Sequence, residues 1–274
     1  IYPAEAEFAR ELAANTAAGK RWTPLKLIEG LKVKAQAAGL WNLFLPVDSA
    51  AASGYSGAGL TNQEYAPLAE IMGRVFWASE VFNCSAPDTG NMETIARYGS
   101  TENKERWLKP LLEGKIRSAF AMTEPEVASS DATNIATRIE RQGDEYVISG
   151  SKTFISNGLH AGLVGVVVKT DPSQGSRGIS ILMVETKDLQ GYRVGRVLDK
   201  IGQNGWDTAE LFFDDCRVPA SCLLGPGEGQ GFVQMMRELP RERLIIGVQA
   251  VAVVLLLVVT RSLRRPAEEP AHEQ

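Results

Sequence analysis

Apolar residues recur every three to four positions over the first part of this 274-residue chain. Between Ala4 and Ala18 they are Phe8, Leu12 and Ala13; between Pro24 and Ala38 they are Leu25, Leu27, Ile28, Leu31, Val33 and Ala35. That spacing predicts helices with one buried face, and Gly39 stops the second at the position where a left-handed residue is wanted. Asp48 to Gly59 is rich in Gly, Ser and Ala and reads as a loop. Thr61-Asn62-Gln63-Glu64 is a capping box ahead of Leu68, Ile71 and Met72, and Thr101-Glu102-Asn103-Lys104 opens another short helix ending near Gly114.

From Ile116 the period changes to alternation and β-branched runs. Strands are predicted over 117–122, 133–141, 145–149, 163–169, 179–185, 192–198 and 210–213, separated by turn signals such as Gly143-Asp144 and Leu189-Gln190-Gly191. No helix-length amphipathic segment lies between them, so the sheet is expected to be antiparallel or mixed. Gly225-Pro226-Gly227-Glu228-Gly229 is no dinucleotide-binding fingerprint, because it follows a turn and Pro226 removes a backbone donor.

Past Gly231 the helical period returns, with Phe232, Met235, Met236 and Leu239 on one face. Pro240 is expected to restart a helix, since proline is tolerated at a first turn. Leu244 to Val259 is almost wholly apolar. At about 25 Å it is short against a hydrocarbon core of about 30 Å, so a buried helix is favoured over a membrane anchor. Arg261, Arg264 and Arg265 keep a membrane contact over 244–260 as the lesser alternative. The fold class is therefore α+β: helical over 1–118, an antiparallel or mixed β domain over 119–230, and the opening helical segment of a further domain over 231–274.

Composition narrows the function. With 29 Lys+Arg against 33 Asp+Glu and a net charge of −4, no basic footprint points to nucleic acid. Cys84, Cys216 and Cys222 have neither disulfide-framework nor metal-ligand spacing, so no metal site is expected and a reducing compartment fits. His160 and His272 are the whole histidine complement, too few for a histidine-based triad. The start Ile1-Tyr2-Pro3-Ala4-Glu5 lacks an initiator Met and a leader-like apolar stretch, and reads as an interior cut.

Four segments carry candidate chemistry. They are Phe120-Ala121-Met122-Thr123-Glu124-Pro125 with Ser129-Ser130-Asp131, and Lys152-Thr153-Phe154-Ile155-Ser156-Asn157-Gly158. The third is Lys200-Ile201-Gly202 leading through Asp207–Asp215 to Arg217-Val218-Pro219, and the fourth Gly229-Gln230-Gly231-Phe232 leading to Leu239-Pro240-Arg241-Glu242-Arg243. In this order the four resemble the acyl-CoA dehydrogenase family, to about residue 255. At residue 129 the sequence departs from that family's usual Gly-Ser-Asp, having Ser where a glycine is common.

The resemblance implies FAD as cofactor and an acyl-CoA thioester as substrate. Electrons would pass to an electron-transfer flavoprotein, and a homo-oligomer is expected. It puts Phe120, Met122, Thr123, Phe154 and Ser156 against the flavin and Ser130 on the acyl-CoA side. Arg243 would lie near cofactor or CoA phosphates. It makes Glu242 the base, as in the isovaleryl and long-chain branches, and leaves Glu124 structural. Its location would be the cytoplasm of a bacterium, or a mitochondrion or peroxisome. From the residues alone, a carboxylate soon after Pro240 also suits a helix N-terminal dipole, and Thr123, Ser156 and Phe154 suit ordinary strand and core work. The alternative function is a non-catalytic module that uses its apolar C-terminal helix for oligomerisation or membrane attachment.

Overall fold

The computed structural model of the chain describes residues 1–128 and 131–263. Its first part is helical: α1 (Glu5–Ala17), α2 (Lys26–Ala37), α3 (Val47–Ser53), α4 (Asn62–Gly73), α5 (Ala78–Val81), α6 (Asp88–Tyr98), α7 (Thr101–Asn103) and α8 (Lys109–Leu112), with a π-helical turn over Lys104–Leu108. The capping box at Thr61 forms as expected: its hydroxyl accepts from the Glu64 N–H at 3.3 Å, and the Glu64 carboxylate accepts from the Thr61 N–H at 2.8 Å. The stretch read as a loop from Asp48 instead begins as α3. Ala50-Ala51-Ala52 are strong helix formers, and Gly54 at φ 77° supplies the left-handed stop that ends the helix.

Seven strands follow: β1 (Ser118–Ala121), β2 (Arg138–Gln142), β3 (Glu145–Ser156), β4 (Leu163–Lys169), β5 (Ile179–Glu185), β6 (Tyr192–Val197) and β7 (Thr208–Pro219). The sheet runs β1-β4-β2-β3-β7-β6, with β5 on the other side of β4. It is mixed, because β1 and β2 both run parallel to β4 while the remaining pairs are antiparallel. β4 and β5 coincide with their predicted ranges; each is buried on both faces, which is why each reads as an unbroken apolar run. β3 and β7 are longer than expected. Bulges between Ile148 and Gly150 and between Lys152 and Ile155 break the alternation and let β3 run on to Ser156. The predicted strand from Thr133 begins only at Arg138, after a 3₁₀ turn over Ala132–Asn134.

The last described element is α9 (Gly231–Leu263), a single helix with Pro240 inside it. The expected restart at Pro240 does not occur. Proline forfeits one helical hydrogen bond, but Met235 is buried just before it and Arg241 is anchored just after it, so packing carries the helix through. At its start, a Cβ on Gly231 would lie 2.7 Å from the Ser180 carbonyl carbon of β5. Further along, α9 crosses α4 so closely that a Cβ on Gly73 would lie 2.8 Å from the Gln249 Cα. The expected burial of Leu244 to Val259 is not found: among its described residues only Ala252 is buried, with Ile245 and Val248 half-buried against the core. Leu244, Val251, Val254, Leu255 and Val258 stay exposed, because α9 meets α4 and α6 along a narrow line and no other described element covers its far side. Among the described residues no helix is long and apolar enough to cross a membrane. Cys84, Cys216 and Cys222 are free thiols, all buried.

Candidate active site

The first two motifs meet where the end of β1 lies beside the second half of β3. The Thr153 N–H donates to the Thr123 carbonyl at 2.9 Å, and the Thr123 hydroxyl donates back to the Thr153 carbonyl. Beneath them the fully buried Lys152 ammonium uses all three protons: on the Met122 carbonyl at 3.1 Å, the Val167 carbonyl at 2.7 Å and Glu124 at 2.8 Å. Glu124 also accepts from the N–H groups of Ala136 at 2.6 Å and Thr137 at 2.9 Å. Burial pushes Lys152 down to about 8, with Glu124 opposing the shift. Burial would raise Glu124, yet Lys152 and its hydrogen bonds hold it below the ordinary carboxylate value. The network fixes the backbone on which Met122, Thr123 and Phe154 stand.

Phe154 sits at φ 58° in the second bulge, 66% exposed, so its ring is turned out of the strand. An aromatic residue held in the left-handed region costs free energy and persists where the surroundings impose it. Asn157 repeats the conformation at φ 59°; its side-chain amide donates to the Ser118 carbonyl at 3.0 Å and ties the end of β3 to β1.

Two cavities adjoin this surface. The larger, about 410 Å³, lies between α4, α6, α9 and the end of β3, with Tyr65, Glu93, Ser156, Trp206 and Glu242 among its walls. The smaller, about 210 Å³, is lined by Gly90, Phe120, Met122, Glu238, Leu239 and Glu242, among others. Glu242 belongs to both. Among the described residues its carboxylate has no hydrogen-bond partner and no salt bridge. Burial, reinforced by nearby Glu238 and opposed by Arg241, raises it above the ordinary glutamate range. Because α9 begins at Gly231, Glu242 lies about three turns into the helix, out of reach of the terminal dipole that a restart at Pro240 would have provided.

Phe120 and Met122 face the smaller cavity and Ser156 the larger. Thr123 and Phe154 line neither cavity; Thr123 is tied to Thr153, the neighbour of Phe154, on the adjoining strand. The Ser156 hydroxyl has no hydrogen bond among the described residues, whereas that of Thr123 is spent on Thr153 and would have to turn to reach a ligand. Arg243 is exposed on α9 and lines neither cavity. Ser130, with Ser129, lies outside the described residues. His160 is exposed and bonds through its ring to the Trp22 carbonyl. Lys200 and Trp206 of the third motif also wall the larger cavity, and the Trp206 indole donates to Glu80 at 2.9 Å.

Motif reading missed Glu93 on α6. One of its oxygens meets the Arg241 guanidinium and the other is buried without a partner. Burial pushes Glu93 up to about 7, with Arg241 pulling the other way. Arg241 also reaches the Phe44 carbonyl, and it donates to the Asn62 side chain at 2.9 Å, pinning α9 beside Glu242. The buried Tyr65 hydroxyl lies against the Cys84 thiol and makes no hydrogen bond of ordinary geometry among the described residues. The available signal was indirect: a glutamate and an asparagine inside an otherwise helical stretch that has no polar face.

Glu242, half-buried and without a hydrogen-bond partner among the described residues, stands at the wall of two cavities beside Phe120, Met122 and Ser156, where it can remove a proton from a bound molecule. Comparison with known proteins gives the same direction. Residues 5–115 match the family model described as acyl-CoA dehydrogenase, N-terminal domain, and residues 119–216 match that described as acyl-CoA dehydrogenase, middle domain. The chain is 49% identical over 234 residues to acyl-CoA dehydrogenase family member 10 of Mus musculus, an alignment covering 84% of this chain and 21% of that relative. A solved Mycobacterium abscessus structure described as an acyl-CoA dehydrogenase superposes with a TM-score of 0.87 at 40% identity, covering 97% of this chain and 67% of that one. A structure described as an electron transferring flavoprotein of Acidaminococcus fermentans superposes at 0.68 with 32% identity, covering 89% and 61%. The chain thus spans about a fifth of the length of the mouse relative.

Proposed function

The chain belongs to the acyl-CoA dehydrogenase family, and from that premise we propose that it catalyses α,β-dehydrogenation of an acyl-CoA thioester to the trans-2-enoyl-CoA. The observation that carries this reading is the Glu242 carboxylate, raised above its ordinary value and unpartnered at the wall common to both cavities. Glu242 takes the proton from Cα, the electron pair of that C–H bond becomes the new Cα=Cβ bond, and the Cβ hydrogen departs with its pair. Bound FAD supplies the acceptor for that hydride.

The residues suit such a group. Phe154 offers an outward ring, Ser156 a free hydroxyl, and Lys152 holds the Met122 carbonyl inward so that the backbone beyond it is fixed. Phe120, Met122, Thr123, Phe154 and Ser156 hold the flavin in this reading. Ser130 meets the acyl-CoA, and Arg243, exposed on α9, meets phosphate. An electron-transfer flavoprotein takes the electrons onward, and the protein works as a homo-oligomer in fatty-acid breakdown, in a cytoplasm, mitochondrion or peroxisome.

The visible spectrum of the purified chain tests the proposal, first after FAD is added and then after anaerobic addition of a medium- or long-chain acyl-CoA. Flavin bands that bleach on acyl-CoA are the expected result. A protein that takes up FAD but never bleaches is no dehydrogenase, and one that takes up no FAD removes the cofactor reading as well. The paired change Thr123→Ala with Ser156→Val removes two hydroxyls. Two hydrogen bonds are worth about 1 to 3 kcal/mol together, so FAD should bind about 5- to 150-fold more weakly by fluorescence titration. Unchanged affinity would show that the flavin, if bound, sits elsewhere.

A further inference from the structure

We infer that Gly90 is a positioning residue for the proposed base: its missing side chain is the space that the Glu242 carboxylate occupies. A Cβ at Gly90 would collide with Oε1 of Glu242 and stand 3.2 Å from its Cδ. Glycine inside a helix costs about 1 kcal/mol relative to alanine, so α6 gives up stability at this position. The inference rests on the reading of Glu242 as the base.

Neither helix is free to back away from the contact. On the α6 side, Asp88 accepts from the Ser118 N–H and the Arg117 guanidinium, both at 2.6 Å. One residue beyond Gly90, the Asn91 amide donates to the Ala119 carbonyl at 3.0 Å, so this turn of α6 is bolted to β1. On the α9 side, Arg241 is held by Glu93, the Phe44 carbonyl and Asn62. The atom that a new Cβ would meet first is the far end of a flexible side chain, so the carboxylate is what moves. Swung from this position, it leaves the wall shared by the two cavities while the helices stay docked. Glu238 and Arg241 of α9 itself act on its charge, and Glu93 of α6, Tyr65 of α4 and Lys200 of the β6–β7 loop line the larger cavity with it. Its displacement therefore also changes which charges it faces.

Gly90→Ala, made in the FAD-loaded chain, tests the assignment. Flavin affinity and the KM for acyl-CoA should stay near the parent's. The kcat should fall about 100-fold, the scale of an ångström-sized misplacement, and the apparent pKa of the acid limb of the rate profile should move. Glu242→Asp withdraws the carboxylate by one methylene. It should slow the parent enzyme yet speed the Gly90→Ala enzyme, an inversion that a purely structural glycine would not produce. If Gly90→Ala instead lowers the melting temperature, Glu242→Ala in the same chain should restore it by removing the atom struck. Additive losses in the activity cycle, or no recovery in the melting cycle, overturn the assignment. Glu242→Gln in the parent chain separates the two readings: if it leaves bleaching intact, the base reading falls, whereas its loss of bleaching beside an unaffected Gly90→Ala sinks only the glycine's role.

Discussion

Glu242→Gln should retain FAD and still bind acyl-CoA, but substrate should reduce the flavin about 10²- to 10⁴-fold more slowly, the range expected when a general base is lost. Glutamine has nearly the same shape, and the parent carboxylate makes no hydrogen bond or ion pair among the described residues. Fold stability should therefore hardly change, and rate and stability should part company. The pH dependence gives an independent reading. Burial and Glu238 raise Glu242, so the parent's rate should fall as the pH drops through a value above the ordinary glutamate range. In the glutamine variant that limb should vanish. Stopped-flow bleaching across pH 5 to 9 measures both, and a variant that bleaches at the parental rate would remove Glu242 from the chemistry.

Lys152→Met should cost about 3 to 5 kcal/mol in chemical denaturation, the usual price of stripping one partner from a buried charge pair. The loss comes from both ends. The Met122 and Val167 carbonyls lose a donor, and Glu124 keeps only its bonds from the Ala136 and Thr137 N–H groups. Flavin affinity should fall with stability, because the inward Met122 carbonyl anchors the backbone that carries the proposed flavin contacts. Adding Glu124→Gln, which removes the stranded charge and keeps an acceptor for one of the two N–H groups, should recover part of the loss. The sign of the pH effect is fixed by the direction of the shift. Lys152 is lowered from 10.5 to about 8 in the fold, so the native state releases its proton before the unfolded chain does. Stability from this group therefore grows as pH rises from about 8 to 10.5 and is lost on the way down, and the parent should gain on the methionine variant across that window. A cost under about 1 kcal/mol would mean that the network is dispensable.

Some of this architecture is legible in the residues and some is not, for identifiable reasons. Leu163–Lys169 and Ile179–Glu185 were readable to the residue because strands buried on both faces leave an unbroken apolar record. The Thr61 cap was readable because its chemistry is local. α3 was hidden by Ser and Gly around a short alanine run. α6 was hidden more deeply: Asp88, Asn91, Glu93 and Thr94 are all buried, so polar residues occupy core positions and the helical period is erased. That helix contributes Glu93 and Gly90, which no local motif singles out. Glu242 was located through its resemblance to the family, but its setting was misread. Whether Pro240 starts a helix or sits inside one depends on Met235 and Arg241 finding partners in distant parts of the chain.

The clasp between Arg241 and Asn62 joins residues 179 positions apart, and it has a consequence for how the protein is made. A ribosome adding about 5 to 20 residues per second needs on the order of 10 to 40 s to deliver the arginine after the asparagine has emerged. Throughout that interval the side of α4 bearing Met72 and Gly73 has no α9 to cover it. The nascent helical region thus offers an apolar groove to chaperones, and pulse proteolysis of stalled chains should find α4 cleavable until α9 has cleared the exit tunnel.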